Sequence, residues 1–395
     1  MRYRAILAAT AATLTGLATM AGATTAGAAA PSPVGQLHSA RVCAAPTAGT
    51  AACMSIVRTD AHGKPIATLT PGGFGPTAIQ SAYKLSGLSS AGRTVAIVDA
   101  YNDPTAEADL GVYRAQFGLS ACTTANGCFR KIDQTGGTQY PSTNSGWAQE
   151  ISLDLDMVSA TCPDCRILLV EANSSSFANL GTAVNTAAKI AGVAAISNSY
   201  GGGDAADTTY GTYYNHPGIA VTASSGDSGY GASYPASSSY VTAVGGTSLR
   251  ADSSTRGWSE TVWSGAGSGC SVYNTALAAA ATFDTGCAKR AEADVSAVAD
   301  PNTGVAVYDS TPNAGSSGWM VFGGTSASAP IIGSVYALSG NTTGYANVLP
   351  YSRTSALFDV TSGSNGTCPT TQWCNARAGW DGPSGLGTPN GASAF

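Results

Sequence analysis

Charge is scarce in this sequence: Asp, Glu, Lys and Arg together make up only 10% of its 395 residues. With a net charge of −5 and no basic stripe, nucleic acid is excluded as a partner. Long apolar runs are also missing. After the N-terminal region no stretch approaches the ~20 apolar residues that a membrane-spanning helix needs, so no segment there reads as such a helix. Histidine is scarcer still, with three in the chain. His38 lies in the N-terminal tail, His62 in Asp60-Ala-His-Gly63, and His216 in the turn Tyr214-Asn-His-Pro217. None has the context that a general base requires, and each reads as an ordinary surface histidine. The esterase signature G-x-S-x-G is absent around Ser326, where the sequence reads G-T-S-A-S.

What is present is small, apolar and oxidisable. Hydrophobic residues reach 44%, enough for a large core, and glycine is abundant at 49 residues. A surface so poor in charge must be carried by Ser, Thr, Asn and Gly. That suits a protein working in acid, where carboxylates lose their charge. The N-terminus has a secretory pattern: basic Arg2 and Arg4, an apolar run from Ala5 to about Ala18, and an A-x-A site at Ala26-Gly27-Ala28. The ten cysteines fall into close pairs, Cys43/Cys53, Cys122/Cys128, Cys162/Cys165, Cys270/Cys287 and Cys368/Cys374. In a secreted chain these read as five local disulfides. A zinc site or a redox centre at Cys162-Pro-Asp-Cys165 is disfavoured. There is no second C-x-x-C, and the motif follows a predicted helix instead of opening one.

The expected organisation is a signal peptide over 1–28, an extended segment pinned by one disulfide over 29–75, and one catalytic domain over 76–395. From Thr94 onward, buried-strand patterns alternate with helical ones. Strands are predicted at 94–99, 166–171, 194–197, 218–223 and 241–244, and helices near 147–159, 178–190 and 326–338. A pair of strands is expected at 305–308 and 319–322. Such alternation predicts an α/β fold, a mostly parallel sheet with helices on both faces.

Two motifs carry chemistry. Gly323-Gly324-Thr325-Ser326-Ala327-Ser328-Ala329-Pro330 follows an apolar strand and opens a helix, with Pro330 expected in the first turn. A serine there has its hydroxyl beside free backbone N–H groups that can hold an oxyanion. Trp147-Ala-Gln-Glu150-Ile-Ser-Leu-Asp154 puts two carboxylates at i and i+4 on one face of a largely apolar helix. Like charges on such a face cost energy unless they share a proton or act in catalysis.

The octapeptide around Ser326 and the predicted strand order resemble the subtilisin-like clan, and Glu150 in place of a histidine base resembles its sedolisin family of serine-carboxyl peptidases. The resemblance covers about 76–395. It implies a subtilisin-like fold and an endopeptidase in which Ser326 is the nucleophile, Glu150 its general base and Asp154 the group that orients Glu150. Ser224-Ser225-Gly226-Asp227-Ser228-Gly229 resembles the family loop whose aspartic acid stays protonated and donates to the oxyanion, which assigns that role to Asp227. Asp99, ending a strand, is implied as an extension of the carboxylate network. One structural calcium ion is implied, held by the Asp359 and Asp381 carboxylates with backbone at Val360, Arg377 and Gly379, although Arg377 stands where the family often has glycine. Tyr200 replaces a usual tryptophan, which bears on the hydrogen bond supporting Asp154. The stretch between signal and catalytic domain is short for the family's prodomain. The substrates implied are proteins or peptides, the form a monomer with no membrane or nucleic-acid partner, and the location extracellular. The competing reading is an inactive relative that only binds.

Overall fold

The computed structural model describes residues 37–341 and 343–395; the expected signal sequence lies outside them. The N-terminal stretch contributes three short strands, β1 (His38–Arg41), β2 (Ala52–Cys53) and β3 (Ile56–Thr59). Helix α1 (Pro76–Ala82) then leads into an alternation of β4 (Thr94–Ala100), α2 (Ala106–Gln116), β5 (Phe129–Asp133), α3 (Ser145–Thr161), β6 (Arg166–Ala172), α4 (Phe177–Ala187) and β7 (Val193–Asn198). Next come β8 (Tyr200–Gly203), β9 (Ala220–Ser224), β10 (Ser233–Tyr234), β11 (Thr242–Ala251), β12 (Trp258–Val262) and β13 (Val295–Val298). The last elements needed here are β14 (Val305–Asn313), β15 (Ser316–Gly323) and α5 (Thr325–Ser339).

The central sheet runs β12-β11-β9-β7-β4-β6-β5, with β13 also pairing β11. All its pairings are parallel except β11 with β12. Strand β4 shows why helices must cover both faces. Val95 and Ile97 join the core that holds Ile151 and Leu155 of α3 and Ile331 and Val335 of α5. Ala96 and Val98 join the core that holds Leu180 and Val184 of α4. Successive side chains point to opposite faces, so a strand covered twice must be apolar throughout. The subtilisin-like α/β fold expected from the sequence is the fold found.

Two strands of this sheet carry weak sequence signals. Strand β5 reads Phe-Arg-Lys-Ile-Asp and lies at the sheet edge, where exposed Arg130 is tolerated. Strand β13 reads Val-Ser-Ala-Val and is wholly buried. The expected pair β14 and β15 forms, but in a separate antiparallel sheet of order β1-β3-β15-β14. The segment expected to be merely extended therefore adds two strands to that sheet. Its β2 pairs antiparallel with β8 in a third sheet. All five expected disulfides are present, and no described cysteine is free. Cys162 and Cys165 are bonded to each other, which removes both thiols as zinc ligands.

Candidate active site

In a parallel sheet, function collects beyond the carboxyl ends of the strands. Asp99 lies near the end of β4, Ser199 follows β7, and Asp227 follows β9. Helices α3 and α5 complete the site. Helix α3 starts cleanly because the Asn144 side chain accepts the N–H groups of Gly146 and Trp147. Every residue from Gly146 to Thr161 is buried, so Glu150 and Asp154 lie one turn apart inside the protein.

Asp99, Glu150 and Asp154 are all fully enclosed. Burial first, then the Asp154 carboxyl, pushes Glu150 well above the usual carboxylate range, while the Ser326 and Ser55 hydroxyls pull it back. Neither Glu150 oxygen makes a hydrogen bond of ordinary geometry among the described residues, and neither does either oxygen of Asp99. Burial raises Asp154 as well, against a hydrogen bond from Ser199 Oγ at 2.7 Å. Burial raises Asp99, and Asp154 and Glu150 add to it by like-charge repulsion. Three carboxyls in one dry volume cannot all ionise, so they hold protons between them.

Ser326 stands second in α5. Gly324 before it has φ of 90°, a left-handed conformation that favours glycine. A side chain there would also collide: a Cβ would lie 2.1 Å from Met54 O and 2.8 Å from Asp227 Oδ2. The free N–H groups of the helix start are both used. Thr325 N donates to Asp227 Oδ1 at 2.8 Å, and Ser326 N donates to Met54 O at 3.0 Å. Asp227 Oδ2 is buried without a partner among the described residues and faces the same small space. Burial pushes Asp227 up to about 6, against the Thr325 N–H and the Arg41 charge.

Pro330 is not in the first turn as expected; the helix begins at Thr325, which puts the proline inside it. A proline there has no N–H for the Ser326 carbonyl four residues back. That carbonyl instead accepts Ser199 Oγ at 3.4 Å. Ser199 thus bridges the nucleophile's backbone and Asp154, and its own carbonyl accepts Ser326 Oγ at 3.1 Å. Ser199 was not among the expected site residues, although its neighbour Tyr200 was expected to bear on Asp154. Tyr200 donates its hydroxyl to Asn198 Oδ1 at 2.7 Å, so the hydrogen bond to Asp154 comes from Ser199.

The three histidines stay apart from this constellation. His38 and His62 are exposed, and the His216 ring is hydrogen-bonded to the Tyr213 carbonyl at 2.9 Å. Near the C-terminus, Asp381 Oδ1 accepts Ser384 N at 3.0 Å and Ser384 Oγ at 2.7 Å, and Asp381 Oδ2 accepts Arg377 N at 3.3 Å. Asp359 Oδ2 accepts Gly379 N at 2.9 Å. Burial pushes Asp381 up to about 7, and the Asp359 carboxyl adds to the rise. The Arg377 guanidinium donates to the carbonyls of Trp380, Phe283 and Asp284, not to either carboxylate. Neither carboxylate is salt-bridged among the described residues. Two neighbouring carboxylates with only oxygen atoms to offer and no cationic side chain fit a hard cation.

No family model matches the chain. It is similar to kumamolisin of Bacillus sp. (strain MN-32), 28% identical over 361 residues that cover 81% of this chain and 63% of that protein. It is also similar to sedolisin of Pseudomonas sp. (strain 101), 28% identical over 372 residues, 82% of this chain and 61% of that protein. The chain spans about three fifths of the length of these curated relatives. The solved structure of Pseudomonas sedolisin, a serine-carboxyl proteinase complexed with two molecules of pseudo-iodotyrostatin, superposes with a TM-score of 0.68 at 26% identity, covering 81% of this chain and 96% of that one.

Proposed function

We propose that the chain, similar to kumamolisin and sedolisin over about four fifths of its length, is a member of the sedolisin family and a secreted, acid-active serine-carboxyl endopeptidase that cuts protein or peptide substrates through an acyl-enzyme. The single observation that carries this reading is a convergence. The backbone N–H of Ser326 and the free Oδ2 of Asp227 face one carbonyl position, with the Ser326 hydroxyl and the Glu150 carboxyl beside it. Ser326 Oγ attacks a substrate carbonyl and gives its proton to Glu150. The oxyanion is held by Ser326 N–H and by a protonated Asp227, since an ionised carboxylate would repel it. Asp154, fixed by Ser199, and Asp99 behind it hold protons in common with Glu150, and the Ser326 and Ser55 hydroxyls favour placing the trio's negative charge on Glu150, where it serves as the base. Hydrolysis of a denatured protein between about pH 3 and pH 7 tests the reading, because those values bracket the carboxylate range. Wild type should be active in acid and Ser326→Ala inactive; an optimum above neutrality would sink the carboxylate mechanism.

Among the described residues no helix is long and apolar enough to cross a membrane, and the basic and apolar start of the sequence supports export with loss of residues 1–28. The Asp359 and Asp381 carboxylates are proposed to hold one calcium ion, with backbone carbonyls of Val360, Arg377 and Gly379 completing an oxygen shell. Bound calcium would neutralise the buried Asp381 and stabilise the fold by mass action. Chelation should therefore lower the melting temperature of wild type and leave that of Asp381→Ala unchanged.

A further inference from the structure

The Met54 carbonyl lies where a substrate carbonyl would, because Met54 O accepts Ser326 N at 3.0 Å. Residue 54 therefore marks the place of the residue before a cut bond, and its side chain marks where that residue's side chain goes. The walls of this space are backbone. On one side, a Cβ on Gly201 would lie 2.9 Å from Met54 Cε and 2.3 Å from Ser233 Oγ. On the other side is Gly226, next to Asp227, where a Cβ would lie 3.7 Å from Gly267 Cα and 3.9 Å from Ser233 Cβ. Walls without side chains leave room for a long side chain. Ser233 closes the far end, with its Oγ donating to Gly202 O at 3.1 Å.

Behind Ser233 stands a carboxyl that the peptidase chemistry does not use. Glu292 is fully enclosed, and its Oε1 accepts Ser233 N at 3.1 Å. Its Oε2 is buried with no partner among the described residues. Arg290 is near enough to favour the ionised form, but its N–H groups point elsewhere. Nε donates to Ser238 O at 3.2 Å, one terminal nitrogen to Ala291 O and Asp294 Oδ1, and the other to Val241 O and Asp294 Oδ2. All five guanidinium donors are thereby spent. The other charged groups facing Glu292, Asp204 and Asp294, are acids. Burial pushes Glu292 well above the usual carboxylate range, against Arg290 and the Ser233 N–H. A buried acid with one oxygen left empty costs stability, and nothing structural here offsets it.

We propose that Glu292 makes this site selective for lysine or arginine immediately before the cut bond, the side-chain cation passing Ser233 to reach the free Oε2. This deepens, and rests on, the peptidase reading above. Lysine matches methionine atom for atom as far as Cε and then adds Nζ, about 1.5 Å further along. Its ammonium therefore passes the place of the Met54 methyl, at the end of the space that Ser233 closes. There it supplies the donor that Oε2 lacks, and a charge-assisted hydrogen bond holds Glu292 ionised. Arginine, longer again, offers the same oxygen a guanidinium N–H. An uncharged straight chain fills the same space and leaves Oε2 bare, while an acidic side chain meets a second carboxyl there.

Peptides identical except for the residue before the cut bond test this, with lysine, arginine, norleucine or glutamate at that place. Wild type, Glu292→Gln and Glu292→Lys are assayed at about pH 5, near the carboxylate range. Wild type should show kcat/KM for lysine or arginine about ten- to a hundredfold above norleucine, the range of one charge-assisted hydrogen bond, with glutamate lowest. Glu292→Gln should collapse the ratio of lysine to norleucine, and Glu292→Lys should raise glutamate above lysine. Each ratio is read within one enzyme, so a change in the folded fraction cancels. Should neither variant fold, the wild-type ratio decides alone. Wild type that cuts after norleucine as well as after lysine would overturn the proposal and leave the peptidase reading standing. So would a lysine preference that survives in Glu292→Gln. Wild type that cuts none of the peptides and no denatured protein would overturn the peptidase reading and this proposal with it.

Discussion

Two clusters of buried acids lie close together in this protein and are built in opposite ways. Asp103, Asp109 and Asp309 bring one carboxylate oxygen each within 4.8 Å of one another. They are laced with donors: Thr105 N and Oγ1 serve Asp103 Oδ1, Ser310 N and Oγ serve Asp109 Oδ2, and Thr311 N serves Asp309 Oδ1. In the cluster of Asp99, Glu150 and Asp154, five of the six oxygens have no partner among the described residues. Donors tell a carboxylate where its charge belongs; a cluster without them leaves protons free to move. Unsatisfied buried acids cost stability, so their survival in one place points to chemistry there. The Asp103 cluster needs no such explanation beyond Asp309 Oδ2, its one buried oxygen without a partner among the described residues.

The comparison is broken most severely at Glu150. Glu150→Gln keeps the shape and removes the base, and general-base catalysis is worth ~10²–10⁴-fold. The turnover rate should fall by about that factor at every pH, measured on denatured protein. The melting temperature near neutrality should hold or rise, because one of three mutually repelling acids is gone. Loss of folding in Glu150→Gln would mean that the trio is structural like its neighbour.

Asp227 is the next largest effect. Its rise to about 6 comes from burial, so the protonated donor is lost as pH climbs through that value. Activity should decline on that limb. Asp227→Asn keeps a neutral donor at all pH, so the limb should move upward while the maximal rate drops by less than the ~10²–10³-fold that outright loss of an oxyanion donor costs. A limb that stays where it was would assign the titration to another acid.

Much of this site was legible in the sequence because its chemistry is local. The turn Gly323-Gly324-Thr325-Ser326 sits between a strand and a helix, and Glu150 and Asp154 lie one helical turn apart. Asp99 and Asp227 end or follow apolar strands. The fold was legible for the same reason, since doubly covered strands are apolar runs. What could not be read is what depends on distant contacts. Nothing in Ala51-Ala-Cys-Met-Ser55 marks it as a strand, because its partner is β8 and its carbonyl bonds Ser326. Ser199 carried no signal of its own, for its role comes from Pro330 freeing a carbonyl across the site. The first-turn placement of Pro330 failed because the proline is the sixth residue of helix α5, where the hydrogen bond it cannot make to the Ser326 carbonyl is replaced by the Ser199 hydroxyl.

The smallest predicted effect falls on the well-satisfied cluster and concerns stability alone. Asp309 is pushed up to about 8, by burial first and then by Asp103 and Asp109. An unfolded aspartate titrates near ~3.9. Between those values the unfolded chain has lost the proton and the folded chain keeps it. The unfolded state then binds fewer protons, so stability falls as pH rises through that window, by at most about 1.4 kcal/mol per pH unit for one group. Asp103, held at about 6 by burial, works in the same direction over a narrower span. Asp309→Asn removes the larger of these terms while its amide can still donate to the neighbouring carboxylates. Melting temperatures of wild type and Asp309→Asn should therefore match near pH 4 and separate toward pH 8, with the variant higher. Turnover should be unchanged, because no contact in the site runs through Asp309. Equal melting curves at pH 8 would show that the cluster binds its charge more cheaply than its burial implies, and the contrast between the two acid clusters would then rest on catalysis alone.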